Sequence, residues 1–308
     1  GSRLAVARDD GIVSLINLND LDAPPQNWSH DSAAYMAVFS PNGNVLGVGT
    51  SSGKTYIWDV ENVFYVLGAT HVDEVYALDF SANGEWMVSG GADSVARATK
   101  VGVERAARGA MQHGDWIEFI EFGPSGDWFA TASDDNNLRI WDVETQVEKL
   151  RMSHNGFVIR VNISPNGAWV ASTGYDQTAR VWDTVSGSEM IHIPLDARGT
   201  AILFSEDGSR LFVGDADGNL TLWDTSSLLS RLNIIEFPEL VREVHYSPSG
   251  EYLAVNTDAR DLRLLPVAQT LELRDGTEIE AVLKADGLTY DVTYSPDSSW
   301  VVAAASRQ

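Results

Sequence analysis

The chain contains no cysteine, no run of about 18 apolar residues, and only 21 basic side chains against 44 acidic ones. Without cysteine there are no disulfides and no thiolate metal sites, although the redox compartment stays open. Without a long apolar run no segment is suited to span a bilayer as a helix, and no basic-then-apolar start resembles a signal peptide. The leading Gly1-Ser2 is expected to be a cloning scar, so a native targeting segment can have been removed; the cytoplasm is the expected compartment. A net charge of -23 opposes binding to phosphate backbones and anionic lipid, because a surface that repels them releases no counterions. Neither nucleic acid nor membrane is therefore an expected partner.

What the chain does have is a core: 44% apolar residues and ten tryptophans are too many for an acidic disordered segment. A length of 308 residues suggests two domains, yet large all-β closed folds hold as many in one, so the internal pattern must decide. That pattern is a repeat. Phe39-Ser-Pro-Asn-Gly43 returns at Phe80, Phe122, Ile163, Phe204, Tyr246 and Tyr294, with spacings of 41, 42, 41, 41, 42 and 48. Each turn follows alternating apolar residues, such as Val158, Val161 and Ile163, and precedes a short apolar run, such as Trp128 to Ala132. Proline, asparagine and glycine between two such runs read as a hairpin. A second turn and a third strand follow, and four third strands end in Trp-Asp, at Trp58, Trp141, Trp182 and Trp223. The unit is a four-stranded antiparallel meander, repeated at a fixed period.

The period, the Ser-Pro-x-Gly turns and the terminal Trp-Asp resemble the WD-repeat β-propellers along essentially the whole chain. The resemblance implies an all-β, seven-bladed β-propeller in one domain over residues 1–308. Its expected blades are 3–30 with 288–308, then 31–71, 72–113, 114–154, 155–195, 196–238 and 239–287. N- and C-terminal strands would share one blade and close the ring. Residues 300 to 305 duplicate the second strand already offered by residues 4 to 7, so either one copy is displaced or, the favoured expectation, the chain is excised from a longer signalling polypeptide. The resemblance also implies a hydrogen-bonded tetrad per blade. His113, Thr131, Asp135 and Trp141 stand at successive offsets of 18, 4 and 6, and His154, Ser172, Asp176 and Trp182 repeat them. His71, Ser89 and Asp93 are in register with Thr99 in the tryptophan slot; His30 and Trp58 have Val48 and Ser52 between them. A Ser-His-Asp catalytic site is the competing reading, but recurrence at fixed offsets with tryptophan as fourth member is a structural signature.

Other chemistry-bearing patterns yield to local structure. Gly53-Lys54-Thr55 ends like a phosphate-binding loop, but Val48 stands where the first glycine belongs and no helix follows. The Asp-rich stretches at 134–137 and 215–219 lack the ligand spacing of a calcium loop and suit tight turns. Four of the six histidines occupy tetrad slots, leaving His192 and His245 alone and no histidine cluster for a transition metal. No cofactor is expected, and no enzymatic activity.

Eight of the ten tryptophans recur with the repeat, leaving Trp28 and Trp116. In propellers resembling this one, positions three and five after the histidine, and the residue before the turn aspartate, face the top rim. Those slots hold Trp116, Phe157 and Arg198; Tyr35, Tyr76, Glu118, Ile159, Arg242 and Tyr290; and Asp134 and Tyr175. Large aromatic groups ringed by charge are what a protein-binding hot spot contains. The expectation is a non-catalytic interaction module, a scaffold or sensor domain, that binds a basic or amphipathic protein or peptide on its top face. Other domains of its own parent chain are also possible partners. Two rival readings are a propeller enzyme with a metal site in the central channel and a scaffold that self-assembles through the duplicated terminal strand.

Overall fold

The computed structural model describes residues 3–103, 108–225, 230–258, 261–267, 281–284, 289–294 and 301–305. Among the described residues the twenty-nine elements are all β-strands. The Ser-Pro-x-Gly hairpins explain why they form so regularly. In four of them a buried serine hydroxyl accepts the amide of the residue that opens the next strand: Val45 on Ser40 at 3.1 Å, Trp86 on Ser81 and Trp169 on Ser164 at 2.9 Å, Tyr252 on Ser247 at 3.0 Å. The glycine that closes the turn has φ near +70° at Gly43, Gly84, Gly167 and Gly250, a region that β-carbon sterics deny to most residues.

The strands fall into two compact units, Gly1–Val161 and Asn162–Gln308. The first unit opens with a three-stranded sheet of β1 (Arg3–Ala7), β2 (Ile12–Asn17) and β3 (Gln26–Ser29). Three four-stranded sheets follow, each a meander in sequence order. They are β4 (Ala34–Phe39), β5 (Val45–Thr50), β6 (Lys54–Asp59) and β7 (Phe64–Thr70); β8 (Val75–Phe80), β9 (Trp86–Gly91), β10 (Val95–Lys100) and β11 (Arg108–Gln112); and β12 (Ile117–Phe122), β13 (Trp128–Ser133), β14 (Asn137–Asp142) and β15 (Glu148–Ser153). First strands of successive sheets pack side by side, β4 on β8 and β8 on β12. The second strands are buried on both faces, β9 along its whole length, and their buried hydroxyls are held by hydrogen bonds, as Ser89 is by His71. Close sheet approach leaves no room for a side chain at Gly47, where a β-carbon would stand 2.8 Å from Met87 Sδ.

The second unit begins within β16 (Val158–Ile163), which heads a sheet continued by β17 (Trp169–Gly174), β18 (Thr178–Asp183) and β19 (Glu189–Pro194). Next come β20 (Gly199–Phe204), β21 (Arg210–Asp215), β22 (Asn219–Asp224) and β23 (Ser230–Glu236), then β24 (Val241–Tyr246), β25 (Tyr252–Thr257), β26 (Asp261–Pro266) and β27 (Ala281–Lys284). A two-stranded sheet of β28 (Thr289–Tyr294) and β29 (Val301–Ala305) ends it. Six complete blades and further strands at both chain ends match the seven-repeat count. Both candidate second strands form: β1 pairs antiparallel with β2, and β29 pairs antiparallel with β28. Trp300 lies outside the described residues.

Candidate interaction face

The frame that holds the rim is a set of buried polar chains. In the β12–β15 sheet, His113 Nδ1 stands 3.0 Å from Asp135 Oδ2 and Nε2 stands 2.7 Å from Thr131 Oγ1, while Trp141 Nε1 donates to Thr131 Oγ1 at 2.9 Å. A carboxylate only accepts, so Nδ1 carries the proton, Nε2 accepts from the threonine hydroxyl, and the threonine oxygen accepts from the indole. Protonating His113 would put two donors face to face. Burial holds its pKa below the usual imidazole value, although Asp135 pulls the other way. Burial also opposes ionisation of Asp135, but hydrogen bonds from His113 and the Gly114 amide outweigh it and hold the carboxyl well below its usual range.

The other sheets show how the chain adapts when a member is replaced. Trp182 Nε1 donates to Ser172 Oγ at 2.9 Å, and His154 and Asp176 are buried in the same repeat. In the β8–β11 sheet, His71 contacts Asp93 at 2.9 Å and Ser89 at 2.8 Å, and Thr99 in the tryptophan slot leaves its buried hydroxyl without a partner among the described residues. Where Val48 replaces the hydroxyl, Trp58 Nε1 donates straight to His30 Nε2 at 3.0 Å, and His30 Nδ1 donates to the Gly11 carbonyl at 3.0 Å. In the β20–β23 sheet Val213 fills the hydroxyl slot, and Trp223 Nε1 turns to Thr221 Oγ1 at 2.9 Å.

Two recurring roles are not singled out by the tetrad pattern. Arg97, Arg139 and Arg180, four residues after each aspartate, pair with Asp93, Asp135 and Asp176 at 2.7, 2.5 and 2.9 Å. Arg139 and Arg180 also reach Glu148 and Glu189 on the outer strands, so the polar chain runs through to the edge of the sheet. The second role is a clip between sheets. Asp79 accepts the Phe122 amide at 2.8 Å, and Asn162, at the same strand position, accepts the Phe204 amide at 2.7 Å. The fixed offset before Phe80 and Ile163 is the signal that could have revealed it.

On this frame the first unit carries a row of aromatics. Tyr35 and Tyr76 stack with ring centroids 6.2 Å apart, and Tyr76 meets Trp116 at 6.0 Å, tilted by 57°. Glu74 accepts both phenol hydroxyls, from Tyr35 at 3.2 Å and from Tyr76 at closer range. Trp116 is 45% exposed, and Tyr35 and Phe157 are exposed to a similar degree. Ile159 is half-buried in β16. Glu118 and Asp134 lie beside the row. Burial raises the pKa of Glu118, with Arg160 opposing, and burial followed by the charges of Glu118, Asp115 and Asp135 pushes Asp134 up to about 6. Like charges crowd Asp134, and a cation placed beside it would relieve their repulsion.

The second unit holds Tyr175, Arg198 and Arg242 differently. The Arg198 guanidinium lies 4.8 Å from the Tyr175 ring centroid and also donates to its hydroxyl, so much of the tyrosine's polar capacity is taken up inside the unit. Arg242 is paired with Asp258. The Tyr290 side chain lies outside the described residues. Ring contacts thus join Tyr35, Tyr76 and Trp116 across successive first strands, and Trp116 belongs also to the group of Trp116, Phe157, Ile159 and Tyr175 on which the sequence reading centred.

The phosphate-loop lookalike is the β5–β6 hairpin. Among the described residues no group of three or more histidine or acidic side chains is placed to hold a metal, and no helix is long and apolar enough to cross a membrane.

Meandering four-stranded blades crossed by His–Thr–Trp chains define a repeat protein of the propeller class. Residues 64–98, 110–142, 146–183 and 199–224 match the family described as WD domain, G-beta repeat, and the chain is a member of the WD-repeat family. It is 26% identical over 183 residues to Protein hir1 of Schizosaccharomyces pombe, covering 48% of this chain and 20% of that protein. It is 28% identical over 144 residues to human Echinoderm microtubule-associated protein-like 2, covering 44% and 22%. Against the Guanine nucleotide-binding protein subunit beta of Arabidopsis thaliana it is 30% identical over 161 residues, covering 47% and 43%. The chain thus spans less than half the length of these relatives.

Proposed function

We infer that the chain is a non-catalytic protein-interaction module whose first unit binds a basic or amphipathic protein or peptide on the face bearing Tyr35, Tyr76, Trp116 and Phe157. The observation that carries this reading is the aromatic row running across three successive sheets beside carboxylates whose ionisation is suppressed. Aromatic rings supply contact area and attract cations, and the rim acids gain from positive charge. The overall charge of -23 adds long-range attraction for a basic partner. Tyr175 with Arg198 is a separate contact proposed for the second unit.

The test uses a labelled peptide of alternating leucine and lysine, titrated into the protein by fluorescence anisotropy. Trp116→Ala and Tyr76→Ala are each expected to weaken binding at least tenfold with little change in melting temperature. Undiminished binding by both variants would remove this face from the reading.

A further inference from the structure

The outermost strand of one blade departs from the way the others are protected. An edge strand offers unpaired amides and carbonyls to any passing chain, and proteins blunt such edges with charge, proline or short length. The outer strands β11, β15, β19, β23 and β27 each contain at least one charged residue, and β3 is only four residues long. By contrast β7, Phe-Tyr-Val-Leu-Gly-Ala-Thr, has seven residues with neither charge nor proline. Among the described residues it is hydrogen-bonded to β6 alone, and its one irregularity lies towards its C-terminal end, leaving Phe64 to Leu67 in regular register.

This edge is both apolar and firmly held. Phe64, Tyr65 and Leu67 are 54%, 47% and 50% exposed. Val66 packs against the cluster of Ile57, Leu78, Phe80 and Met87, while the Tyr65 ring sits 5.1 Å from Tyr56 and 4.8 Å from Trp58. Alternate side chains thus anchor the strand from both faces and keep its outer backbone edge extended, at little ordering cost to a ligand. The ends are acidic: exposed Glu61 lies three residues before β7 and exposed Asp73 three after.

The geometry points to β7 as a strand-addition site for an extended apolar peptide segment flanked by basic residues. Backbone pairing supplies affinity, the exposed apolar side chains receive alternate residues of the incoming strand, and the acids at each end select its flanks. A second copy of this chain fits less well, because it brings the same acids and a charge of -23. The site is distinct from the aromatic row and does not depend on it.

The probe is a labelled ten-residue peptide of alternating valine and threonine with two lysines at each end, titrated into the full chain by anisotropy. Saturable binding is expected. It should weaken at least tenfold when glutamates replace the lysines, when backbone amides along one edge of the peptide are methylated, and in Leu67→Lys. Trp116→Ala should bind it unchanged. The methylated peptide tests the idea on the unaltered protein, so a folding defect in Leu67→Lys cannot obscure the answer. No saturable binding at millimolar peptide, equal binding of the methylated form, or equal binding of the glutamate form overturns the proposal. So does a dimer in sedimentation that Leu67→Lys dissociates, which would make the occupant a second copy.

Discussion

Replacing Thr131 with valine is expected to cost less than replacing Trp141 with phenylalanine, although threonine makes two of the bonds in the chain and tryptophan one. Valine removes the acceptor for the Trp141 indole, 2.9 Å away, and the partner of His113 Nε2, 2.7 Å away. Left unmet, two buried groups would cost about 1–3 kcal/mol each. The first unit already shows the escape. With Val48 in that slot, Trp58 donates directly to His30 with ring centroids 5.7 Å apart, and the His113 and Trp141 rings stand 5.8 Å apart. The ring separations are thus nearly equal, and the interplanar angles differ by a modest turn, 63° against 79°. Thr131→Val therefore exchanges two bonds for one and should cost about 1 kcal/mol. Trp141→Phe has no such escape. It removes the indole that donates to the threonine oxygen and the ring beneath Arg139, 5.9 Å from its centroid, and opens space in a core where Trp141 is buried. About 2–4 kcal/mol is expected. Urea unfolding of both variants gives the ranking, and slow hydrogen exchange of the Trp141 indole proton in Thr131→Val reports the new bond. A cost above about 3 kcal/mol for Thr131→Val, with a fast-exchanging indole, would refute the reasoning.

Asp79→Asn is expected to keep the clip to Phe122 through its one amide oxygen, since Asn162 makes the same bond to Phe204, to give up the Phe80 amide bond that the other carboxylate oxygen accepts, and to remove a carboxylate that burial pushes up to about 6. A raised folded pKa means that the wild type loses stability as pH climbs from about 4 to 6, so the variant should be the more stable above pH 6, by at most about 3 kcal/mol. The difference should vanish near pH 4 in urea unfolding at each pH. Thr99→Val removes a buried hydroxyl that has no partner among the described residues and should raise stability by about 0.5–1 kcal/mol in the same assay. Binding of the leucine–lysine peptide should strengthen as pH rises through about 6, where Asp134 ionises, and Asp134→Asn should flatten that dependence in anisotropy titrations from pH 5 to 7.5.

The repeat was legible because turns and buried hydroxyls impose residue types at short range. A left-handed glycine closes the turn after Ser40, Ser81 or Ser164 whichever blade holds it, and His113, Thr131 and Trp141 keep their offsets because strand register keeps theirs. Replacements were harder to read. Nothing in the spacing of His30, Val48 and Trp58 says that the indole will donate straight to the imidazole, since that depends on where the two rings come to rest across a sheet.

The sequence by itself determined the meander, its period, the polar chains and the shortage of positive charge, all of which arise from contacts within one repeat or from composition. Tertiary structure decided what lies between repeats. The clip from Asp79 to Phe122, the ring contacts joining Tyr35, Tyr76 and Trp116, and the claim of Arg198 on Tyr175 join residues 23 to 43 positions apart in the chain. Such contacts are set by how closely first strands and turns pack, a distance that no periodicity encodes.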